Sequence, residues 1–182
     1  MTDRNNSFTY TDGVTFIGSS DHEDTLNLST YNKNVDLNGN QYINIDNIDA
    51  RNSSSNYYQR QLYGNAGNNK IYAGRGDLLW GGSGSTGNDD LYGGSGDNTF
   101  YYGVGEGNDV IHQSVSTDKV DLYNVSLTDI SSYGFDGSSL RFNMAGGESL
   151  VIEGSDGASN FVLADRLEYS YDRSTDTWSI KA

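Results

Sequence analysis

Along the middle of this chain, Asn69, Asp77, Asp89, Asn98 and Asp109 each stand two residues before a large apolar side chain: Ile71, Leu79, Leu91, Phe100 and Ile111. Glycines Gly64, Gly74, Gly76, Gly82, Gly84, Gly94, Gly96 and Gly107 fill the turns ahead of them. The spacing is close to nine residues and fits the nonapeptide G-G-x-G-x-D-x-U-x, in which the glycine half turns and the x-U-x half forms a very short strand. Such turns offer oxygen ligands alone, namely backbone carbonyls that glycine leaves accessible and side-chain oxygens from the sixth position. Calcium accepts six to eight oxygens in flexible geometry, whereas magnesium demands a stricter octahedron. The chemistry available to this pattern is therefore calcium binding.

The repeats are unequal. Residues 64–72 place Asn69 at the ligand position, 73–80 place Asp77 there in a turn one residue short, and 81–92 carry about three extra residues around Gly84 before Asp89. Residues 93–101 present Asn98, and an expanded last repeat, 102–112, presents Asp109. With two nonapeptides per coil, repeat n stacks on n+2 at about 4.8 Å along the axis. Asp89 then stacks with Asp109 as a double carboxylate, Asn69 lies under Asp89, and Asp77 lies under Asn98. An amide in place of a carboxylate removes charge from the ligand shell, so the strongest site is expected at Asp89 and Asp109.

The elements that position these turns are strands with one buried face. Alternation at Leu26/Leu28, Val35/Leu37 and Ile43/Ile45 has the period-two signature, and no helical period is convincing. The expected fold is all-β, a right-handed parallel β-roll or β-solenoid. Residues 1–60 are read as irregular N-terminal capping coils, with 51–60 a polar loop bulging from the stack. Residues 61–113 form the calcium-binding roll, and 114–182 an antiparallel β cap that covers the apolar end of the last coil. Turns are expected at Asp136-Gly137 and at Ala145-Gly146-Gly147. The final stretch reads as a hairpin with Tyr169 and Tyr171 facing Trp178 and Ile180 across an Asp172–Asp176 turn.

Composition narrows the function. The 182 residues contain no cysteine, which excludes disulfides and thiolate-bound metal. A net charge of −14 disfavours nucleic acid and anionic membrane as partners. Proline is absent and glycine numbers 23, so Gly, Asn and Asp must make the turns, while 14 tyrosines and six phenylalanines supply apolar area against disorder. MTDRNNSFTY lacks the apolar core of a cleaved signal, and no stretch approaches the ~20 apolar residues of a membrane span. Membrane insertion is not expected.

GNDDLYGGSGDNTFYYGVGEGNDVI followed by TDKVDLYNVSLTDI, together with YINIDNIDARN ahead of LYGNAGNNKIYAG, resembles the RTX, or haemolysin-type, calcium-binding repeat with its flanking coils. The resemblance implies a parallel β-roll with calcium in the turns. It also implies export of the loose chain by a type I secretion system that reads an uncleaved C-terminal signal, then folding in calcium outside the cell. On that reading the chain is a secreted or cell-surface module of a larger bacterial protein, with calcium ions and, in transit, the secretion machinery as partners, and it is expected to be a monomer. Where such proteins have an Asp-Phe pair after the last repeat, this chain has His112-Gln113. Asn69 and Asn98 also depart from the usual aspartate, so the calcium dependence expected is partial.

Other signals are weaker. His22 and His112 are the only histidines, and neither sits in a zinc-helix or nucleophile motif, so no catalytic residue is assigned. Gly103-x-Gly105-x-Gly107 is not followed by a helix and makes no phosphate loop. Arg75-Gly76-Asp77 spells an integrin-type tripeptide whose aspartate already has a place in the repeat. Rows of Tyr63, Tyr72, Tyr92 and Tyr101 suit either a sugar-stacking face or a ladder that stiffens neighbouring coils. Two alternatives stay open: a glycan- or surface-binding module of an adhesin or carbohydrate-active enzyme, and a metal-free structural solenoid.

Overall fold

A computed structural model describes residues 5–28, 33–51, 59–82, 84, 86–112, 117–153, 160–163, 165–166, 168–172, 175 and 177–180. Strands β1 (Ser7–Thr9), β2 (Phe16–Ile17), β3 (Thr25–Asn27), β4 (Val35–Asp36), β5 (Tyr42–Ile43) and β6 (Asn47–Asp49) precede the repeats. Within the repeats lie β7 (Gln61–Tyr63), β8 (Lys70–Tyr72), β9 (Leu78–Trp80), β10 (Asp90–Tyr92), β11 (Thr99–Tyr101) and β12 (Asn108–His112). After them come β13 (Lys119–Asp121), β14 (Ile130–Asp136), β15 (Ser139–Met144), β16 (Ser149–Glu153), β17 (Asn160–Val162), β18 (Glu168–Asp172) and β19 (Thr177–Ile180).

These strands make two long sheets, β1-β3-β6-β8-β10-β12-β16-β15-β14 and β4-β7-β9-β11-β13-β17-β18-β19, plus the small pair β2-β5. The chain crosses from one long sheet to the other at each repeat, and neighbouring coils pair in parallel. This is the β-roll expected from the sequence. The described strands before and after the repeats belong to the same two long sheets as the repeats themselves.

In β8 to β11 only the middle residue of three is buried, because successive side chains alternate between faces. The buried residues align from coil to coil. Leu26, Ile48, Ile71, Leu91, Ile111 and Ile152 form one column. Val35, Leu62, Leu79, Phe100, Val120 and Phe161 form the facing one. Burying a side chain of this size stabilises by about 1.5–3 kcal/mol. The two columns make the continuous part of the core, with Leu28, Leu37, Ile45, Tyr102 and Leu122 buried beside them.

The C-terminal end is closed by antiparallel strands on both sheets. After β13 the chain runs out to the β14–β15 hairpin, and β16 then returns to pair in parallel with β12. On the other sheet β17 pairs in parallel with β13 before β18 and β19 add antiparallel strands. Register in the last hairpin sets Tyr169 opposite Ile180 and Tyr171 opposite Trp178. Of the turn expected at 172–176, residues 173, 174 and 176 lie outside the described residues. Three parallel-paired solenoid strands, β13, β16 and β17, fall inside the segment expected to be the antiparallel cap.

Candidate metal centre

A polar residue that is almost fully buried stands just before β8, β9, β10, β11 and β13 and is the second residue of β12: Asn69, Asp89 and Asp109 on one side, Asp77, Asn98 and Asp118 on the other. The side chains of Asp89, Asp109, Asn98 and Asp118 lie over the turn of the preceding coil and accept its backbone N–H. Asn69 N donates to Asp89 Oδ1 at 2.7 Å, and Asp89 N donates to Asp109 Oδ1 at 2.9 Å. On the opposite side Asp77 N donates to Asn98 Oδ1 at 3.0 Å, and Asn98 N to Asp118 Oδ1 at 2.9 Å. The stacking expected from the sequence, Asp89 with Asp109, Asn69 with Asp89 and Asp77 with Asn98, is the stacking of the structure.

Asp89 has one buried oxygen, Oδ2, with no hydrogen-bond partner. It lies over Gly81, where a Cβ would come within 2.1 Å of it, so only glycine admits the carboxylate at this position. Beside it the turn backbones pack equally close: a Cβ at Gly87 would meet the Gly67 carbonyl at 2.4 Å, and one at Gly107 the Gly87 carbonyl at 1.9 Å. Burial pushes the Asp89 carboxyl up to about 6, with the charge of Glu106 adding to the rise. Burial, then the charge of Asp89, pushes Asp109 up to about 8. Glu106 is itself buried and raised; it accepts the Gly103 N–H at 2.6 Å and the Tyr123 hydroxyl.

A buried carboxylate pair with an orphaned oxygen, set among glycine carbonyls, is unfavourable by itself and suits a hard cation with oxygen ligands. No three His, Cys, Asp or Glu side chains converge on a metal position among the described residues. Any ion here would depend on backbone carbonyls as well as on Asp89 and Asp109, which is the donor set calcium tolerates and zinc does not. The residues present fit calcium.

The remaining ligand positions are satisfied by nitrogen. Asn69 Nδ2 donates to the Asp46 carbonyl at 2.5 Å and to Asn65 Oδ1 at 3.1 Å. Asn98 Nδ2 donates to the Gly94 and Gly96 carbonyls at 3.4 and 3.0 Å and to Asp118 Oδ1 at 3.0 Å. Asp77 takes both Arg60 Nε, at 2.9 Å to Oδ1, and an Arg60 terminal nitrogen, at 2.5 Å to Oδ2, and also accepts Gly74 N–H at 2.8 Å. Of the polar loop expected at 51–60, residues 52–58 lie outside the described residues, and Arg60, 2% exposed, is drawn inward by its pair with buried Asp77.

Among the glycines singled out in the sequence, Gly64 packs on the Gly81 carbonyl and Asn69, and Gly94 on the Gly74 carbonyl. Gly76, Gly84, Gly96 and Gly107 have positive φ. Gly82 is buried in its turn, but the glycines against Asp89 are Gly81 and Gly87, which the sequence reading passed over. It also passed over Asp118, Glu106 and Arg60. Asp118 was legible: Thr117-Asp118-Lys119-Val120 repeats the ligand-x-apolar pattern 20 residues after Asn98. Asp77, fully buried against Arg60, is not displayed as an Arg-Gly-Asp tip would have to be.

The aromatic rows stack ring on ring. Tyr63, Trp80 and Tyr101 have centroids 4.3 and 3.9 Å apart, and Tyr72, Tyr92 and His112 4.4 and 4.2 Å. Both faces of Trp80 and of Tyr92 are covered by neighbours, which leaves them no face on which a sugar could stack. Arg51 lies over Tyr72 at 4.2 Å. His112 is held between Asp90 and Glu153, at 3.2 and 2.7 Å, and ties the last repeat to β16.

Residues 61–85 and 82–111 match the family model of the RTX calcium-binding nonapeptide repeat, with four copies. No curated protein matches the chain. The match spans the stacked turns just described and ends before Asp118 and the closing strands. Residues 61–111 of this β-roll are RTX calcium-binding nonapeptide repeats.

Proposed function

We propose that this chain is a calcium-responsive β-roll whose ion is held at the Asp89–Asp109 stack, by those carboxylates together with carbonyls of the adjoining glycine turns. The observation that carries the reading is Asp89 Oδ2, a buried carboxylate oxygen with no partner beside a second buried carboxylate. Without a cation the two charges oppose closure of the turns, and with one they hold three successive coils together. Asn69, with Gly64, Gly82, Gly84 and Gly107, shapes the turns on the side of that site, and Asp77 and Asn98, with Gly74, Gly76, Gly94 and Gly96, shape those on the opposite side.

The repeat's kinship supports a role outside the cell. The roll serves as a non-enzymatic folding module of an exported bacterial protein, loose where calcium is scarce and closed where it is plentiful, and compatible with passage through a type I secretion system. Far-UV circular dichroism during a calcium titration from chelator, with magnesium as control, tests the folding step. A gain of β signal with calcium and not with magnesium is expected. An identical, fully folded spectrum throughout would refute calcium-driven folding.

A further inference from the structure

Within the repeats, the stack on the second sheet begins with a residue of opposite charge. Gln61, Leu78, Thr99 and Lys119 are in register, so Arg60, Asp77, Asn98 and Asp118 occupy the same place in successive coils. The backbone of Arg60 follows the ladder, its carbonyl accepting Leu78 N–H at 2.8 Å. Its guanidinium reaches the carboxylate of the next coil as a bidentate pair with both partners at 2% exposure or less. Asp77 has no oxygen left over: Arg60 takes both, and Gly74 N–H shares one. One coil on, Asn98 donates into the Gly94 and Gly96 carbonyls and Asp118. The Asp77 carboxylate, the Gly94 and Gly96 carbonyls and Asp118 Oδ1 on this side are thus already engaged by N–H groups.

From this we infer that Arg60 is a built-in cation standing in the place of calcium at the first turn of the second stack. That half of the roll closes without metal, and calcium acts on the Asp89–Asp109 side alone; this last point rests on the reading given under Proposed function. A guanidinium matches a carboxylate in a fixed two-pronged geometry and is never deprotonated, so it does permanently what a bound ion does only when calcium is present. Its positive charge also repels a divalent ion from Asp77. The chain therefore sets how much of itself is calcium-dependent by which residue opens each stack.

The test compares wild type, Arg60→Gln, Asp77→Asn and the double variant Arg60→Gln/Asp77→Asn. It measures urea unfolding in chelator and calcium stoichiometry by equilibrium dialysis. Removing one partner of a buried pair strands the other charge, so Arg60→Gln should lower the folded-to-unfolded ratio in chelator by roughly a hundred- to a thousandfold. It should also bind one calcium more than wild type, with stability recovered in that calcium. The double variant should regain most of the chelator stability and bind no extra calcium. If Arg60→Gln does not fold at all, the double variant decides: folding in chelator is expected, and failure to fold overturns the inference. Wild-type stability of Arg60→Gln in chelator, or loss of a bound calcium in Asp77→Asn, would also overturn it. The chelator comparison holds even if wild type binds no calcium, an outcome that would sink only the calcium reading.

Discussion

The backbone N–H of Asp89 donates to Oδ1 of Asp109 across one coil, and the side chain of Asp89 in turn caps Asn69 in the coil before. One oxygen of each carboxylate is thus spent on joining coils, while Oδ2 of Asp89 is left buried and unpartnered. The same relationship that stacks the turns also brings two negative charges together out of water. A cation bound there would reconcile them.

Asparagine at position 109 keeps the acceptor for Asp89 N–H and removes the charge. Asp109→Asn should raise stability in chelator by about 1–3 kcal/mol, through relief of burial and repulsion, and weaken calcium binding at least tenfold. Asp77→Asn should instead lose stability in chelator, because Arg60 is then buried without its counter-charge, and leave calcium binding unchanged. Urea unfolding with and without calcium distinguishes the two patterns.

The raised carboxyls set a direction for pH. Asp89 and Asp109 titrate near 6 and 8 in the fold and near 3.8 when unfolded. Between those limits the folded chain holds more protons than the unfolded one. Stability in calcium-free buffer should therefore be greatest at the acid end of this window and fall as pH rises from about 4 to 8. Calcium competes with those protons, so its affinity should rise over the same range. A urea midpoint in calcium-free buffer that climbs from pH 5 to pH 8 would contradict the assignment.

Gly105 and Gly107 separate backbone strain from close packing. Both have positive φ, 86° and 95°, but a Cβ at Gly105 meets nothing within 4 Å, whereas one at Gly107 lies 1.9 Å from the Gly87 carbonyl. Gly105→Ala should cost about 1 kcal/mol from φ alone. Gly107→Ala must push apart the coils that flank Asp89 and should cost about 3 kcal/mol or more, with a weakened calcium response. Thermal unfolding of the pair checks the difference.

Trp80 is stacked on both faces, Tyr63 on one among the described aromatic contacts. At about 0.5–1.5 kcal/mol per stacked pair beyond area burial, Trp80→Ala should destabilise by about twice what Tyr63→Ala does. Equal losses in urea unfolding would show that the row does not act as a ladder.

The columns of the core were legible because every repeat keeps its apolar residue: Ile71, Leu79, Leu91, Phe100 and Ile111 are all at 1% exposure or less. The Asp89–Asp109 pairing was legible for the same reason, since the nonapeptide period fixes which turns stack. Legibility failed where the pattern breaks. Asp118 keeps the nine-residue spacing from Asp109, but residues 113–117 ahead of it contain no glycine to mark a turn, and Arg60 replaces an acid with a base, so no ligand pattern marks it. Its role follows from a position in register with Asp77 that only the coil path reveals. Gly81 and Gly87 lie in the lengthened third turn, where several glycines compete for each role and spacing alone does not choose among them.

The central claim is tested most directly by thermal unfolding of wild type and the Asp89→Asn/Asp109→Asn double variant, each in chelator, in magnesium and in calcium. The account predicts that calcium, and not magnesium, raises the wild-type Tm by several degrees or more, and that the double variant melts at one temperature in all three. A calcium shift of the same size in the double variant would place the ion elsewhere and contradict the account.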